Sequence, residues 1–428
     1  MNKPPEPSAT LIDLIKRKGT GKTMSKHLQK EDIKTILTLV QDSSENINSL
    51  CTLLTACLML PSTTDEEQLL TQLKQTKLPP ILQQLLTQQF IHPLGKIIKK
   101  LLNHQALSKN ELLQGLQNLT LHQENDPINA IFLESLRLKE ESPLENNETL
   151  NYFYNHTQHK HCNCPILINF CNPYDGFNRF YPVQLFSSLL LAASGIPCLL
   201  HGVYESGPKN GLTVEKLLQY AKKDTQLKPE TVKKNLENNN LQWGYLSQQQ
   251  FCPTLYKLQT LRTAIVKRPL LATIEKFLCP ILAKRNILIT GYTHPPYRQK
   301  SIQLLQSLPC KADFLILRGQ EGSSQAPLDR QCPIIGSINN TLSESFCRPE
   351  NYQLHSQSKI PPQKLDPDDL LKEGLKTLQN QPSILSKNIQ YQCLIILHKQ
   401  LGYTLKESKQ LLAKTLETKK AWHLWETL

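Results

Sequence analysis

The sequence predicts an α/β protein with a small all-helical amino-terminal domain at residues 1–150. A larger α/β domain at residues 151–428 follows, with a mainly parallel central sheet flanked by helices. Before residue 150 apolar residues recur at helical spacing, whereas after residue 165 short apolar runs closed by turn formers alternate with helical patterns. In addition, residues 165–202 have the strand, turn, helix, strand order of a right-handed parallel crossover.

The spacing of apolar residues predicts several helices in the amino-terminal domain. They are expected at residues 11–18, 25–40, 46–59 and 64–74, with further helices inside 80–122. Residues 123–150 are polar and acidic, which is typical of a linker or a surface segment. The string Gly-Thr-Gly-Lys-Thr at 19–23 imitates the end of a phosphate-binding loop, but Lys16 stands where that loop requires glycine. We therefore interpret the string as a turn between helices.

The second domain begins with a short buried strand and continues with alternating elements. Strands are expected at 166–170, 196–200, 287–292 and 313–317, and helices at 182–194, 212–220, 229–236, 255–266 and 299–308. Residues 325–363 show no strong period. Closing helices are expected within 365–428, at 366–378, 389–400 and 405–417.

Polar and basic side chains follow the predicted strands. Because the carboxyl ends of parallel strands meet at one edge of a sheet, these side chains are expected to converge there. The candidate ligand- and phosphate-binding residues are Asn172, Asp175, Gly176, Arg179, His201, Gly202, Lys209, Lys267, Arg268, His294, Glu321 and Gly322. The alternative is that strand ends are polar simply because they reach solvent. No catalytic residue is assigned, because chain order does not fix the distances that catalysis requires.

Histidines and cysteines are dense around the start of the second domain, which raises the question of a metal site. The residues are His156, His159, His161, Cys162, Cys164 and Cys171. Structural zinc sites are built on paired Cys-x-x-Cys spacings, which are absent from this stretch. We assign no metal site and prefer the interpretation of a polar surface loop.

Composition restricts the class of protein. No run of about 18 apolar residues is present, and the first residues lack the basic-then-apolar order of a signal peptide, so we expect a cytoplasmic protein without a membrane segment. The 12 cysteines are then expected to be reduced thiols. The net charge of +13 is compatible with nucleic acid or phosphorylated ligands, and equally with a merely basic proteome. Candidate nucleic-acid-binding residues are Lys222, Lys223, Lys228, Lys233 and Lys234.

Five stretches resemble the anthranilate phosphoribosyltransferase family, which shares its fold with pyrimidine nucleoside phosphorylases. They are Lys-Gly-Thr-Gly-Lys-Thr-Met-Ser-Lys-His-Leu-Gln-Lys-Glu at 18–31, Ala-Ala-Ser-Gly-Ile-Pro-Cys-Leu-Leu-His-Gly at 192–202, Leu-Arg-Thr-Ala-Ile-Val-Lys-Arg at 261–268, Gly-Tyr-Thr-His-Pro-Pro at 291–296 and Leu-Arg-Gly-Gln-Glu-Gly at 317–322. The resemblance extends from about residue 11 to the closing helices. Residues 79–160 match less well and are interpreted as an insertion.

The resemblance implies a helical domain beside an α/β domain, with the site in the cleft, and we expect a homodimer formed through the helical domain. In the family, a Gly-Thr-Gly-Gly-Asp loop holds the diphosphate of phosphoribosyl pyrophosphate, and its matching place is Asn-Pro-Tyr-Asp-Gly at 172–176. An acidic pair that binds magnesium matches Ser323 and Ser324, which offer no carboxylates. Of the family's functional positions, Arg268 corresponds to the arginine that meets anthranilate, and His201-Gly202 is also kept.

These departures lead to two hypotheses. In the first, the chain keeps the fold without anthranilate transfer and binds nucleic acid or a phosphorylated ligand, as do divergent relatives that include DNA-binding proteins. In the second, it is a pentosyltransferase with an altered donor or acceptor, which uses magnesium and the groups Asp175, Arg179, His201, Arg268 and Glu321. No cofactor is assigned under the first hypothesis. Losing both the glycine loop and the acidic pair removes electrostatic stabilisation worth roughly 10²–10³ in rate per donor, which favours the first.

Overall fold

The computed structural model describes residues 5–121, 127–354 and 365–428. The chain divides into two compact units. The first unit consists of Met1–Tyr152 and Thr254–Ile274, and the second of Phe153–Pro253 and Glu275–Leu428. Within the described ranges, no helix combines the length and the apolar character needed to cross a membrane.

The first unit is built from helices. They are α1 (Ala9–Lys18), α2 (Lys30–Leu39), α3 (Ile47–Met59), α4 (Thr64–Gln75), α5 (Pro80–Thr87), α6 (Gly95–Leu102), α7 (Lys109–Leu121), α8 (Pro127–Lys139) and α9 (Pro143–Asn155). The start expected for the second helix, at residue 25, is wrong, because Gln29 and Asp32 form a capping box that begins α2 later. Asn46 and Thr63 cap α3 and α4 through their side chains, as their residue types favour.

The expected linker at 123–150 is wrong where the structure describes it, from residue 127 onward. Helix α8 is buried along nearly its whole length and packs against α3 and α6. The prediction was wrong because polar residues in α8 were interpreted as a sign of exposure. The Glu134 side chain is buried, and both of its carboxylate oxygens accept hydrogen bonds from Arg137, at 2.6 and 2.8 Å. A paired charge can therefore occupy a helix at the centre of a core.

The glycine string after α1 forms a helix end. Gly19 caps α1, and its carbonyl accepts a 2.6 Å hydrogen bond from Arg137. The Lys267 ammonium lies 3.0 Å from the carbonyl oxygen of Lys16 in the last turn of the same helix. Cations at the carboxyl end of a helix complement its dipole. The string therefore forms a turn at the end of α1, as its sequence context indicated.

The second unit contains the strands and most of the remaining helices. In chain order these elements are β1 (Lys160–His161), β2 (Leu167–Cys171), α10 (Gln184–Ala193), β3 (Cys198–Gly202), α11 (Val214–Tyr220), α12 (Pro229–Glu237), β4 (Trp243–Ser247), α13 (Gln248–Phe251), α14 (Pro253–Tyr256), α15 (Gln259–Ile265), α16 (Leu271–Ile274), β5 (Ile281–Leu282), β6 (Asn286–Gly291), α17 (Pro295–Gln306), β7 (Asp313–Leu317), β8 (Cys332–Ile338), β9 (Thr341–Cys347), α18 (Pro367–Leu378), α19 (Ser386–Gln400), α20 (Leu405–Glu417) and α21 (Lys420–Thr427). Residues 254–274, which include α15, α16 and most of α14, belong to the first unit, where the single helix expected at 255–266 is broken after α14.

The main sheet has the strand order β4-β3-β2-β6-β7-β8-β9. The first five strands are parallel, and β8 and β9 are antiparallel additions, so the predicted mainly parallel α/β class is confirmed. Strands β1 and β5 form a separate parallel pair. Helix α10 is buried on all sides and packs against α19, α21 and β3, which places the core of this unit between the sheet and the closing helices.

The hairpin β8–β9 lies inside the stretch 325–363 that showed no strong period, whose residues 355–363 lie outside the described ranges. Pro333 and Gly336 weaken the strand pattern of β8, since both residue types are disfavoured in strands. Strand β9 is an edge strand and is mostly exposed, so it lacks the apolar run by which buried strands are recognised. The interior strand β7 has its predicted bounds because all five of its residues are buried.

Candidate functional site

The candidate site lies in the second unit, where the strand order reverses. The chain runs outward from β2 to β3 and β4, and then resumes on the other side of β2 with β6 and β7. The loops that leave β2 and β6 therefore diverge at their carboxyl ends, and such a switch point is where open α/β sheets bind ligands. Hydrogen bonds join three loops at this point, those at 172–180, 203–213 and 318–325.

The loop after β2 turns at Gly176, whose φ is +74°. Phe177 then pairs with Leu212 as an isolated antiparallel bridge, with hydrogen bonds of 3.0 and 2.8 Å. A Cβ atom on Gly176 would lie 2.7 Å from the carbonyl carbon of Gly211, so the two segments can approach only because this residue is glycine. The bridge fixes the backbone that leads directly into Asn178.

Three successive backbone amides after this bridge converge on one carboxylate, that of Glu321. The amide of Arg179 donates a 2.8 Å hydrogen bond to it, and the amides of Asn178 and Phe180 donate at 3.1 Å. The Lys209 ammonium donates at 2.8 Å to the second carboxylate oxygen. We call these three amides and Lys209 the anion nest, since consecutive amide donors with a cation are a common way to bind an anion. Here the protein's own side chain fills it.

Glu321 is held as a buried carboxylate. Its side chain is 1% exposed, against 19% for Lys209. Burial by itself would raise the pKa of Glu321, but the hydrogen bond and charge of Lys209, together with the amides of Arg179 and Asn178, outweigh it and lower the pKa below its usual value. The ionised carboxylate is therefore the form that this arrangement favours.

The loop that carries Glu321 is brought close by two further glycines. Cβ atoms on Gly291, at the end of β6, and on Gly319, after β7, would lie only 1.7 and 2.0 Å from the carbonyl oxygen of Ser323. Both residues must therefore be glycine for this carbonyl to pass between the two strand ends. Asn172 then accepts hydrogen bonds from the amide and the hydroxyl of Ser324, at 3.1 and 3.2 Å.

The same loop contacts the backbone that leads into α10. The side-chain oxygen of Gln325 accepts a 3.1 Å hydrogen bond from the amide of Val183, and its side-chain nitrogen donates to the carbonyl of Tyr181. A free helix amino terminus after a parallel strand binds phosphate readily. The loop at 318–325 thus supplies Glu321 to the nest and Gln325 to the amide immediately before α10.

A small pocket lies beside the nest, between the loops that follow β2 and β3. It leaves about 420 Å³ unfilled by protein atoms, part of it open to solvent, and is lined largely by apolar side chains together with Tyr174, His201 and Tyr245. Tyr174 hydrogen-bonds Nδ1 of His201, while Nε2 has no partner in the described part of the chain. Burial lowers the pKa of His201 to about 3, so the ring is neutral at physiological pH. The unpartnered Nε2 is itself buried.

The other predicted site residues lie in different surroundings. Asp175 is buried and its carbonyl accepts a 2.9 Å hydrogen bond from Gly211, Gly322 has a φ of +80°, and Gly202 lies at the end of β3 against Tyr245. Arg179 and His294 are exposed. Lys267 and Arg268 belong to the first unit. Burial and the charge of Arg137 lower the pKa of Lys267 to about 8.

The five predicted nucleic-acid-binding lysines differ in their exposure to solvent. Lys222, Lys228 and Lys234 are exposed, whereas Lys223 is half-buried with its ammonium 5.0 Å from the centre of the Trp425 ring. Lys233 is half-buried too, and lies within 3.7 and 3.4 Å of the carboxylates of Glu230 and Glu237. Three of the five therefore present their charge to solvent.

The described residues contain no group of three or more histidine, cysteine or acidic side chains suited to hold a metal ion. The surface-loop interpretation of the histidine-cysteine stretch is wrong for the cysteines, since Cys162, Cys164 and Cys171 are all buried. Gln325 and Tyr174, which shape the site, were not predicted as site residues. Gln325 follows the predicted site residues Glu321 and Gly322 closely in the sequence, and this position was a usable signal. Nothing in the local sequence indicates that its side chain reaches the start of α10.

Comparison with known proteins supports the fold. No protein-family model matches the chain. An uncharacterised protein of Aquifex aeolicus is 26% identical over 231 residues, which cover 53% of this chain and 67% of that protein. The anthranilate phosphoribosyltransferase of Thermus thermophilus has a TM-score of 0.61 at 18% identity, covering 77% of this chain and 97% of that enzyme. The enzyme of Saccharomyces cerevisiae, solved in complex with phosphoribosyl pyrophosphate and magnesium, has a TM-score of 0.65 at 15% identity, covering 78% and 96%.

Proposed function

We propose that the chain is a divergent relative of the anthranilate phosphoribosyltransferases that does not transfer a phosphoribosyl group to anthranilate and that binds nucleic acid. The observation that carries the first part is the occupied anion nest. By resemblance, the loop at 172–176 corresponds to the loop that holds the donor's diphosphate in the enzymes. Here the amides that follow it donate to Glu321, so a diphosphate would meet a buried carboxylate instead of free donors.

The magnesium ion that the family's enzymes use with the donor supports the proposal that this chain does not transfer a phosphoribosyl group. The resemblance aligns the family's acidic pair with Ser323 and Ser324, whose hydroxyls donate to the carbonyl of Gln320 and to Asn172. Magnesium favours carboxylate oxygens and the phosphates of its substrate. Without that acidic pair, the negative charge of a departing diphosphate has no metal to neutralise it at this position.

The charge distribution supports nucleic acid as the ligand. The second unit contains 29 of the 49 lysines and arginines and 19 of the 36 acidic residues, and so carries +10 of the net charge of +13. Exposed Lys222, Lys228 and Lys234 belong to this unit. A polyanion binds such a surface by neutralising phosphates and releasing counterions, and it requires no closed pocket.

The proposal is tested by fluorescence anisotropy with labelled single- and double-stranded DNA and RNA over a salt series. We expect binding that weakens linearly in a double-logarithmic plot of affinity against salt, because each neutralised phosphate contributes a slope of about −0.9 on duplex DNA. Binding that is absent at low salt, or that does not respond to salt, would contradict the proposal.

A calorimetric titration with phosphoribosyl pyrophosphate and magnesium tests the enzyme hypothesis separately. We expect no heat of binding at millimolar ligand, because the nest is filled. Saturable binding of this donor, followed by release of diphosphate when anthranilate or another amine acceptor is added, would establish the transferase alternative instead.

A further inference from the structure

Two exposed tyrosines and a lysine lie together on the surface of the second unit. Tyr204 follows β3 and is 46% exposed, and Tyr220 ends helix α11 and is 55% exposed. The Lys216 ammonium lies 5.5 Å from the centre of the Tyr204 ring, which is within the range of a cation–π contact. We call these three residues the tyrosine platform.

The spacing along α11 places Tyr220 beside the same lysine. Lys216 and Tyr220 are four residues apart in this helix, so they share one face, with their Cβ atoms about 5–6 Å apart. Side chains in a helix lean towards its amino terminus, so the Tyr220 side chain leans towards the turn that carries Lys216. Both exposed rings therefore lie on the side of α11 that carries Lys216.

The hydroxyl of Thr213 ties Tyr204 to the start of this helix. It donates a 2.9 Å hydrogen bond to the carbonyl of Tyr204 and accepts one of 3.1 Å from the amide of Lys216. The Lys216 ammonium is itself held by the carbonyl of Asn210, at 3.1 Å, and by the carboxylate of Glu205, at 2.7 Å. The rings are therefore carried by backbone that is already fixed, which lowers the entropy cost of binding a ligand against them.

The charges around the platform fit a polyanion. Lys216 is paired with Glu205, so this pair adds little net charge. Exposed Lys222 lies two residues after Tyr220, with exposed Asp224 beyond it, and the second unit as a whole carries a net charge of +10. Exposed aromatic rings on a basic surface are the combination with which proteins bind single-stranded nucleic acid, because bases stack on the rings while cations attract the phosphates.

We propose that the tyrosine platform binds single-stranded nucleic acid by stacking a base on each of its two rings. The inference rests on the proposed nucleic-acid binding and specifies the form of nucleic acid that this surface recognises. In a duplex the bases are already stacked on one another, so a duplex meets the same unit through its phosphates alone. The two tyrosines therefore contribute to the affinity for single strands and not to the affinity for duplexes.

The test substitutes leucine or phenylalanine at each tyrosine and measures anisotropy with a labelled oligothymidylate and a labelled duplex of the same length. Leucine removes the aromatic face, whereas phenylalanine keeps it. We expect Y204L and Y220L each to weaken oligothymidylate binding about fivefold or more, because one base–aromatic stack is lost. Y204F and Y220F should bind like the unsubstituted protein. Duplex affinity and the salt slope should be unchanged in all four variants, because stacking releases no counterions.

Tyr297 provides the matched control. It is also 46% exposed, and the Lys300 ammonium lies 5.7 Å from the centre of its ring. The residue four positions further along α17 is the buried Ser301, so this ring lacks the aromatic neighbour that Tyr204 has across Lys216. Y297L should therefore leave oligothymidylate affinity unchanged.

Two kinds of failure can be told apart, once circular dichroism has shown that each variant is folded. If neither probe binds the unsubstituted protein at low salt, nucleic-acid binding is wrong and the platform falls with it. If both probes bind with the expected salt dependence, three results would overturn the platform alone. These are oligothymidylate binding that Y204L and Y220L leave unchanged, equal weakening of both probes by these variants, and an equal effect of Y297L.

Discussion

Glu321 holds a left-handed backbone conformation, with φ of +52°, to reach the anion nest. A non-glycine residue in this region costs on the order of 1–3 kcal/mol. Hydrogen bonds to a charged group contribute about 1.5–3 kcal/mol each, so the three amides and Lys209 offset the backbone cost. The carboxylate therefore occupies the donors that an external anion would need.

Replacing Glu321 with alanine is expected to open the nest to small anions. The variant should be less stable than the unsubstituted protein by about 3 kcal/mol, because three backbone amides and a lysine lose the buried carboxylate that pairs with them. Added inorganic phosphate should then raise the melting temperature of E321A and leave that of the unsubstituted protein unchanged.

Glu205 provides the matched control, since it pairs with Lys216 at 2.7 Å but is 48% exposed. E205A should change stability by less than about 1 kcal/mol and gain no response to phosphate. Equal stabilisation of E321A and the unsubstituted protein by phosphate would show that Glu321 does not exclude anions.

His201 makes stability depend on pH in a predictable direction. Burial lowers its pKa to about 3, whereas in the unfolded chain the pKa is about 6.5. Because the unfolded state takes up the proton first, stability is complete above pH 6.5 and is lost as pH falls, by up to about 1.4 kcal/mol per pH unit. Urea unfolding between pH 7.5 and 5.5 should show a shallower loss for H201Q than for the unsubstituted protein. The exposed His423 supplies the control, and equal slopes for H201Q and H423Q would contradict the assignment.

At the scale of elements, glycine positions hold the site loops together. Gly176 and Gly195 both have positive φ, of +74° and +88°, but only Gly176 lies against other backbone, whereas a Cβ on Gly195 would meet nothing within 4 Å. G195A should therefore lose only the conformational preference, about 1 kcal/mol. G176A should lose about 3 kcal/mol or more, since its Cβ would also separate the loop after β2 from residues 211–212. Urea unfolding measures both, and equal losses would mean that this close approach is unimportant.

At the scale of the molecule, most of the net positive charge lies in the second unit, because acidic residues are sparser there. Replacing exposed Lys222, Lys228 and Lys234 with glutamine should weaken nucleic-acid binding and reduce the magnitude of the salt slope by up to about 3 on duplex DNA. Glutamine at exposed Lys77, Lys96 and Lys99 of the first unit removes the same charge and should have a smaller effect. An identical decrease in both triple variants, measured by anisotropy, would show that net charge alone sets the affinity.

The sequence by itself determined the class of fold and most of the buried elements, because local periodicity follows from which faces are buried. Strand β7 and helix α20 have the predicted bounds for this reason. Edge strand β9 and the buried helix α8 were missed, because an edge strand lacks an apolar run and α8 carries paired polar groups in a core. Glu321, His201 and Lys209 were predicted as candidate ligand-binding residues from their positions after strands.

Only the tertiary structure decided what those residues contact. The amide of Asn178 and the carboxylate of Glu321 are 143 residues apart, and no local pattern relates them. Their meeting requires adjacent parallel strands, a glycine at 176 that admits residues 211–212, and glycines at 291 and 319 that admit the carbonyl of Ser323. The loop at 172–176 corresponds by resemblance to a diphosphate-binding loop. The amides that follow it bind a side chain of the same protein, because the packing of the loops places the Glu321 carboxylate next to these donors.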